Sequence, residues 1–506
     1  MSRRKRFFRN GLLLTAVALS ARAVSLFFGA FVTRIVGAEG IGLFTLIMTL
    51  YNFAVTFATS GISLTVTKLV AAALGEGRRE RVGGILRAAV TYALFFSVTA
   101  TAVLFFFAPV LGVRALGDAR AIRSIRLLSL SLVPSTLCAV FAGYFVGVRR
   151  VARNAATQVV AQGAKILLTL AIVTKSAALG AESACFALSL CSVLTDLVAF
   201  LVLLFQFLAE RRGERSGDAR REMPAVAGMA FPLAVSAYLR SALLTVEHVL
   251  IPKRLQKGGN TRTEALASYG VLHGMALPVI LFPMAPLTSF SGLLVPEFSE
   301  CFAAGDTPRM KRIAEEAYRL TLTFAVGVSV FLLLFSEEVG YVIYRSYEAG
   351  VYIAFLAPVV PLMYLDHVTD SILKGIGEHV YSMWVNISDS FLSVLLVFVL
   401  LPTMGIRGYG IVIIAMESYN FLLSYLRLHR RIRFPFHPMR SFILPLLAAA
   451  LAALLSKTLF VMNGRATGGF WLAMKILFAA SVFVALIVTG EGILSAFRKQ
   501  REKTAK

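Results

Sequence analysis

Four basic side chains, Arg22, Arg34, Lys68 and Arg240, stand inside long apolar stretches of this sequence. A charge at mid-membrane costs at least about 2.5–3.5 kcal/mol on insertion scales, so such a residue faces a cavity or a partner. Arginine adds a planar fork of donors that matches phosphate oxygens. Together these residues describe a basic chamber suited to an anionic, amphiphilic ligand. Asn52, Glu247 and His273 are the further polar candidates for contact with that ligand. Glu247 also joins Asn386 and Asp389 as a weaker set of oxygen donors that would take Na⁺ or a proton. Asn386 and Asp389 are three residues apart and share one helix face. Arg240 and Glu247 are seven apart, about 10 Å along a helix. Lys165, Asp196, Asp366, Asp370 and Glu417 are buried candidates as well. Asp366, Asp370 and Lys374 follow at steps of four, a spacing that allows an ion pair along one helix.

The motifs that are absent narrow the chemistry. There is no GxxxxGKS or GxxxxGKT sequence to cradle nucleotide phosphates. No HExxH or GxSxG suggests a hydrolase. The expectation is a protein without catalytic residues or a metal site, and so not an enzyme. Cys138, Cys185, Cys191 and Cys301 include no CxxC pair and read as small apolar fillers.

The elements that would position these residues are membrane helices. Of 506 residues, 58% are hydrophobic and 15% charged, with mean hydropathy +0.77. That excludes a soluble enzyme and a disordered chain. Apolar runs lie at about 11–36, 41–73, 84–112, 122–147, 153–175, 179–208, 225–252, 265–298, 319–343, 351–374, 380–402, 407–427, 441–463 and 470–495, each long enough to cross roughly 30 Å of hydrocarbon. The expected fold is an all-α polytopic membrane protein of about fourteen transmembrane helices. Barrel strands would be shorter and alternating. Spans 1–6 form an N-lobe (1–210), and 211–224 a cytoplasmic linker. Spans 7–12 form a C-lobe (225–428), and 429–440 a basic cytoplasmic loop. Spans 13 and 14 form a helix pair (441–497), and 498–506 a basic tail.

The formal charge of +24 reads as basic loops held in the cytoplasm, not as a nucleic-acid surface. The N-terminus, the even-numbered loops and the C-terminus carry about three times as many Lys and Arg as the odd-numbered loops, which puts both termini in the cytoplasm. Residues 253–264, with Lys253, Arg254, Lys257 and Arg262, fall on the wrong side. Either a span boundary lies elsewhere or that loop has a role of its own. The basic N-terminus followed by Gly11–Val36 reads as an uncleaved first span.

Span 2 carries a polar stripe, Asn52, Thr56, Thr59, Ser63 and Thr67, which lines water or packs on another helix. Span 8 holds Pro278, Pro283, Pro286 and Pro296 and should bend or break; Pro358 and Pro361 predict a bend in span 10. Ser60-Gly61 through Gly75 to Val82 can be laid over Ser291-Gly292 through Gly305 to Ile313 at an offset of about 230, with one gap near the turn. Six spans separate the copies, which describes two parallel halves.

Gly37-Ala38-Glu39-Gly40-Ile41-Gly42-Leu43-Phe44, Ser60-Gly61-Ile62-Ser63 and the turn at Arg78–Arg81 resemble the stage V sporulation protein B-like polysaccharide biosynthesis (oligosaccharide flippase) family. So do Ile251-Pro252-Lys253-Arg254-Leu255-Gln256, Glu264-Ala265-Leu266, Tyr269-Gly270 and Gly274–Pro278. The resemblance covers essentially the whole chain and makes the basic loop at 253–264 a family feature. The family lies in the multidrug/oligosaccharidyl-lipid/polysaccharide (MOP) exporter superfamily, related to MurJ-type lipid II flippases and to MATE exporters. The resemblance implies two six-helix lobes, an added helix pair, and alternating access in a bacterial cytoplasmic membrane. The implied cargo is a polyprenyl-diphosphate-linked saccharide, such as a lipid II-like precursor for spore cortex or cell wall. The alternative is a Na⁺- or H⁺-coupled multidrug exporter of MATE type. Arg22 and Arg34 lie in the helix that supplies cavity arginines in MurJ-type flippases. Lys68 replaces such an arginine approximately; span 8 has His273 where an arginine would stand, and Arg240 is its substitute. The expected partners are the lipid-linked saccharide and membrane lipids, with no nucleic acid, no cofactor beyond a Na⁺ or H⁺ coupling ion, and a monomeric state.

Overall fold

Backbone groups in hydrocarbon find no water, so the chain satisfies them along itself. Accordingly, every regular element among the described residues is helical. The computed structural model describes residues 3–59, 61–176, 180–210, 217–435, 437–461 and 468–504; the side chains of 3–22, 79, 151, 233, 236, 461 and 493–504 lie outside that description.

The order is α1 (Arg3–Thr59), α2 (Ile62–Gly75), α3 (Arg79–Phe106), α4 (Ala108–Val110), a π-helical turn at Leu111–Leu116, α5 (Ala121–Ser129), α6 (Leu132–Gly147), α7 (Val151–Ser176), α8 (Ala181–Glu210) and α9 (Ala219–Lys257). The next segment is interrupted: α10 (Arg262–Gly270), a π-helical turn at Val271–Ala276, α11 (Leu277–Leu281), a 3₁₀ turn at Phe282–Met284 and α12 (Ala285–Ala303). Then come α13 (Thr307–Tyr344), α14 (Tyr347–Leu356), a 3₁₀ turn at Ala357–Val359, α15 (Val360–Gly375), α16 (His379–Arg431), a π-helical turn at Met439–Ile443, α17 (Leu444–Val461) and α18 (Gly469–Thr504).

The prolines act as the sequence predicts. Pro278, Pro283 and Pro286 open successive pieces of the span 8 region, and Pro358 lies within the turn between α14 and α15 while Pro361 opens α15. Among the described residues, ten helices are long and apolar enough to cross a membrane, or up to twelve if each bent pair is one span; two of the ten run over 53 residues, about 80 Å at the helical rise and more than one crossing of a roughly 30 Å hydrocarbon core. α1 and α16 are each two helices that meet at a single non-helical glycine, Gly37 (φ 79°, ψ 168°) and Gly405 (φ 62°, ψ −151°), where the hydropathy places the breaks between spans 1 and 2 and between spans 11 and 12. The span 7 segment is bent by 41° between Ala219–Pro232 and Ala237–Lys257. It starts inside the stretch read as linker and runs through Lys253 and Arg254.

The chain divides into two compact units. One contains 35–270 and 397–403, the other 1–34, 271–396 and 404–506. In the first, Ile62, Val66 and Val70 of α2 bury against Ile85 of α3 and Phe141 and Phe145 of α6. In the second, Phe298 of α12, Tyr318 of α13 and Ile372 of α15 share a core with Ala448, Ala449 and Ala452 of α17 and Phe483 of α18.

The two units repeat one another internally at a constant offset of 228 residues. Helix starts pair as Arg79 with Thr307, Leu132 with Val360, and Val151 with His379 (307 less 79 is 228, for instance); helix ends pair as Gly75 with Ala303 and Gly147 with Gly375. Left-handed residues pair in the same register: Gly77 with Gly305, Gly117 with Arg345, Arg149 with Gly377. Even the packing repeats. Gly147 lies against the Thr67 carbonyl and Val70, and Gly375 against the Val295 carbonyl and Phe298, again 228 apart. The register therefore needs no gap, unlike the alignment read from the sequence.

One contact joins equivalent positions. Gly42 of α1 sits against the Leu266 carbonyl of α10, and Gly270 of α10 against the Ala38 carbonyl of α1. Gly42 and Gly270, and likewise Ala38 and Leu266, are 228 apart, so the contact is self-complementary, as in a two-fold dimer. A Cβ on either glycine would fall deep inside the opposing carbonyl oxygen. Gly42→Ala and Gly270→Ala should each destabilise by about 1–3 kcal/mol through overpacking, read as a lowered thermal unfolding temperature in detergent. Gly292→Ala, with open space around it, should leave that temperature unchanged.

Candidate functional site

In the first unit, Asn52, Lys68 and Arg240 are all exposed on their helices. Lys68 and Arg240 make no ion pair with any described residue. The Asn52 carbonyl accepts a hydrogen bond from Thr56 Oγ1 (2.8 Å). Glu247 is buried and interacts electrostatically with Tyr269. Its neighbour His248 meets the Tyr269 hydroxyl at 2.7 Å through Nδ1.

In the second unit, His273 stands in the π-helical turn with its ring 5.4 Å from that of Tyr409. Asn386 Nδ2 donates to the Ser382 carbonyl (2.7 Å). Asp389 and Asp366 both act electrostatically on Glu417, so the structure gathers three of the candidate acids here, while Glu247 belongs to the first unit. Asp370 pairs with Lys374 at 2.5 Å, the ion pair that the spacing allows. Among the described residues, no group of three or more His, Cys, Asp or Glu is placed to hold a metal ion. The side chain of Arg22 lies outside the described residues.

Arg34 is held at the end of α13. Its Nε donates to the Ile343 carbonyl (2.7 Å) and its Nη2 to the Val342 carbonyl, where the helix dipole favours a cation. It lines a cleft of about 910 Å³ with Glu338, Tyr341, Arg345, Tyr347 and Lys475. Lys475 pairs with Glu338 at 2.9 Å, and the rings of Tyr341 and Tyr347 stack at 4.9 Å.

The polar stripe is not one continuous face. Gly61, left-handed at φ 73°, separates α1 from α2, and a Cβ there would lie 2.5 Å from the Ala230 carbonyl of α9. Thr59 donates back to Val55, and Thr67 to both Ser63 and Gly143 of α6 (2.8 and 3.0 Å). The lower stripe thus packs a helix against small residues.

Two polar assemblies had no sequence signal beyond one member. Asp196 accepts from Tyr51 (2.8 Å) and Ser135 (2.9 Å), and Tyr51 also meets Ser131 (2.6 Å). Three of the four basic residues that broke the loop-charge pattern have partners within the protein. Lys253 donates to the Arg114 carbonyl (2.7 Å), and Arg254 lies over the Phe398 ring. Arg262 reaches Asp118 (3.2 Å) and the Leu116 carbonyl. Arg120 bridges Asp118 and Glu39, both at 2.9 Å.

Burial alone would raise the Asp118 carboxyl, but hydrogen bonds from Arg120 and the charge of Arg262 outweigh it and hold the pKa below the ordinary value. The ionised form is the one the fold stabilises. That contribution is complete above the unfolded pKa of about 3.9 and is lost only as pH falls through the lower folded value. Asp118→Asn should cost about 1–2 kcal/mol, at the lower end because both arginines are partly exposed. The gap in unfolding temperature between wild type and variant should stay constant from pH 8 to about pH 5 and close only in stronger acid.

A family model described as "Polysaccharide biosynthesis protein" matches residues 7–302, and one described as MatE matches residues 259–399. Stage V sporulation protein B of Bacillus subtilis (strain 168) is 25% identical over 418 residues, 81% of this chain and 80% of that protein. Among solved structures, lipid II flippase MurJ in an inward closed conformation superposes with a TM-score of 0.72 at 15% identity, covering 95% of this chain and 99% of that one. An inward-facing multidrug resistance MATE family transporter of the MOP superfamily gives 0.67 at 17% identity, covering 83% and 98%. At such identities these two show a shared fold. The chain is a multi-pass, all-α membrane protein with the MATE/MurJ architecture, and it belongs to the polysaccharide biosynthesis protein family.

Proposed function

We propose that the protein is a flippase that moves a polyprenyl-diphosphate-linked saccharide, of the lipid II class, across the bacterial cytoplasmic membrane by alternating access. The observation that carries this reading is the pair of exposed cations, Lys68 and Arg240, in apolar helices with no ion-pair partner among the described residues. A cation left unpaired in such surroundings is retained for what passes it. A diphosphate needs that neutralisation; a hydrophobic cation would be repelled by it. Asn52 completes the proposed polar lining of the first unit, and the polyprenyl tail stays in lipid. The similarity to stage V sporulation protein B and the fold shared with lipid II flippase MurJ support the same cargo class, for spore cortex or cell wall. The protein acts as a monomer with both termini cytoplasmic.

A second reading, a Na⁺- or H⁺-coupled exporter, draws on the acids Asp366 and Asp389, which both act on Glu417 in the second unit. It also bears on coupling, since a flippase can draw on the same ion gradient.

The test is translocation of fluorescent lipid II in liposomes, with complementation of a strain lacking its lipid II flippase. The Lys68→Ala, Arg240→Ala double variant should flip at least roughly tenfold more slowly, the equivalent of about 1.4 kcal/mol, with unfolding temperature unchanged. Wild-type rates in that variant would remove the proposed role of both residues. Asp389→Asn should abolish any dependence of the rate on a Na⁺ or pH gradient; drug efflux without lipid II flipping would establish the exporter instead.

A further inference from the structure

The internal repeat supplies a built-in comparison for the Arg34 cleft. Arg262 stands 228 residues after Arg34, and each donates to backbone carbonyls at a helix end, Arg262 to Leu116 and Arg34 to Val342 and Ile343. Each helix end closes on a left-handed residue, Gly117 in the first unit and Arg345 in the second. The following residue is where the copies part. In the first unit it is Asp118, whose buried carboxylate neutralises Arg262 and Arg120. In the second it is Ser346, which caps α14 by accepting from the Ala349 amide. The counterpart of Arg120 is Glu348, which acts on Tyr352. The carboxylate that lines the second cleft, Glu338, is already held by Lys475.

So one copy of the site carries its own anion and the other lacks it. Arg34 and Arg345 make no ion pair with a described residue. The second copy has also gained a cation where the first has glycine, in a backbone conformation that disfavours a side chain (φ 57°). A strained non-glycine residue of this kind persists when its side chain is used. The Arg345 guanidinium lies over the Tyr341 ring, 5.0 Å from its centroid, and Tyr341 in turn stacks with Tyr347, so the aromatic pair positions the cation at the cleft.

We propose that this cleft binds the phosphate of a lipid headgroup, which takes the place that the Asp118 carboxylate fills in the other copy. The inference stands apart from the flippase reading, because an anionic phospholipid or a polyprenyl diphosphate supplies the same group. In the orientation proposed above, the cleft lies at the outer end of the second unit's helices.

The full chain in detergent should be titrated separately with phosphatidylglycerol and with undecaprenyl diphosphate, and bound lipid read by native mass spectrometry. Ser346→Asp installs the missing carboxylate and keeps a good helix cap. Arg345→Asn removes the cation and tolerates the left-handed backbone. Both should weaken binding roughly tenfold, the loss of one charge-assisted hydrogen bond, with unfolding temperatures of the lipid-free variants at or above that of wild type. Weakening of both lipids identifies a general anionic-lipid site, and weakening of undecaprenyl diphosphate alone a station for the cargo headgroup. No binding by wild type, or equal binding by wild type and both variants, overturns the proposal. Loss of binding in Ser346→Asp with lipid II flipping intact would uphold this site and separate it from the transport route; loss of flipping in Lys68→Ala, Arg240→Ala with this binding intact would separate them from the other side.

Discussion

The close approach of α1 and α10 at Gly42 and Gly270 is the constraint around which the rest of the first unit is arranged. Helices in a bilayer gain little from hiding apolar surface from each other, since lipid is equally apolar. They associate where backbones can come near and polar groups can pair. Here both happen at one place. The residue before Gly270 is Tyr269, buried and bonded to His248 of α9. Glu39 lies three residues before Gly42 and Arg262 eight before Gly270, and both enter the ion-pair network around Asp118 and Arg120. The glycine contact sets the distance at which those charges can meet, and the charges in turn hold the helix ends that carry the glycines.

The repeat gives this arrangement its logic. The second unit contains residues 1–34, and the first contains α9, whose register is 228 residues later. Equivalent opening helices have therefore been exchanged between the copies, in the manner of a swapped element. Arg34 and Arg262 are the visible trace: each seals a helix end that belongs to the other copy of the repeat. The two copies differ at this joint: one has a glycine and a carboxylate, Gly117 and Asp118, where the other has an arginine and a hydroxyl, Arg345 and Ser346, on the same left-handed turn.

Hydropathy made the membrane class and nearly every helical segment legible, because roughly 20 apolar residues leave few alternatives. The prolines announced the broken segments for the same local reason, and the Asp370–Lys374 pair followed from helix spacing. What resisted reading was whatever depends on one residue's backbone or on distant partners. Gly37 and Gly405 break their helices where the hydropathy does, while Gly61 lies inside an apolar run yet ends a helix. Ser60-Gly61 matched Ser291-Gly292 by identity and pulled the repeat out of register by three residues; the helix ends show the true offset. The two glycine-containing blocks that carried the family resemblance were plain in the sequence, but not that they touch each other. Nor could spacing reveal that Tyr51 reaches Asp196 across 145 residues, or that Asp118 absorbs the charge that made the loop near Arg262 look misplaced.

The exchange of opening helices also sets a timetable. Arg34 and its acceptor at Ile343 are 309 residues apart, so the earlier segment waits for a partner made much later. At about 5–20 residues per second, that interval is roughly 15–60 s. During it, the N-terminal helix sits in the bilayer without its berth, while its counterpart α9 reaches the first unit within a single stretch of synthesis. A newly made chain can thus close the joint at Arg262 early and the one at Arg34 only once Ile343 has been made.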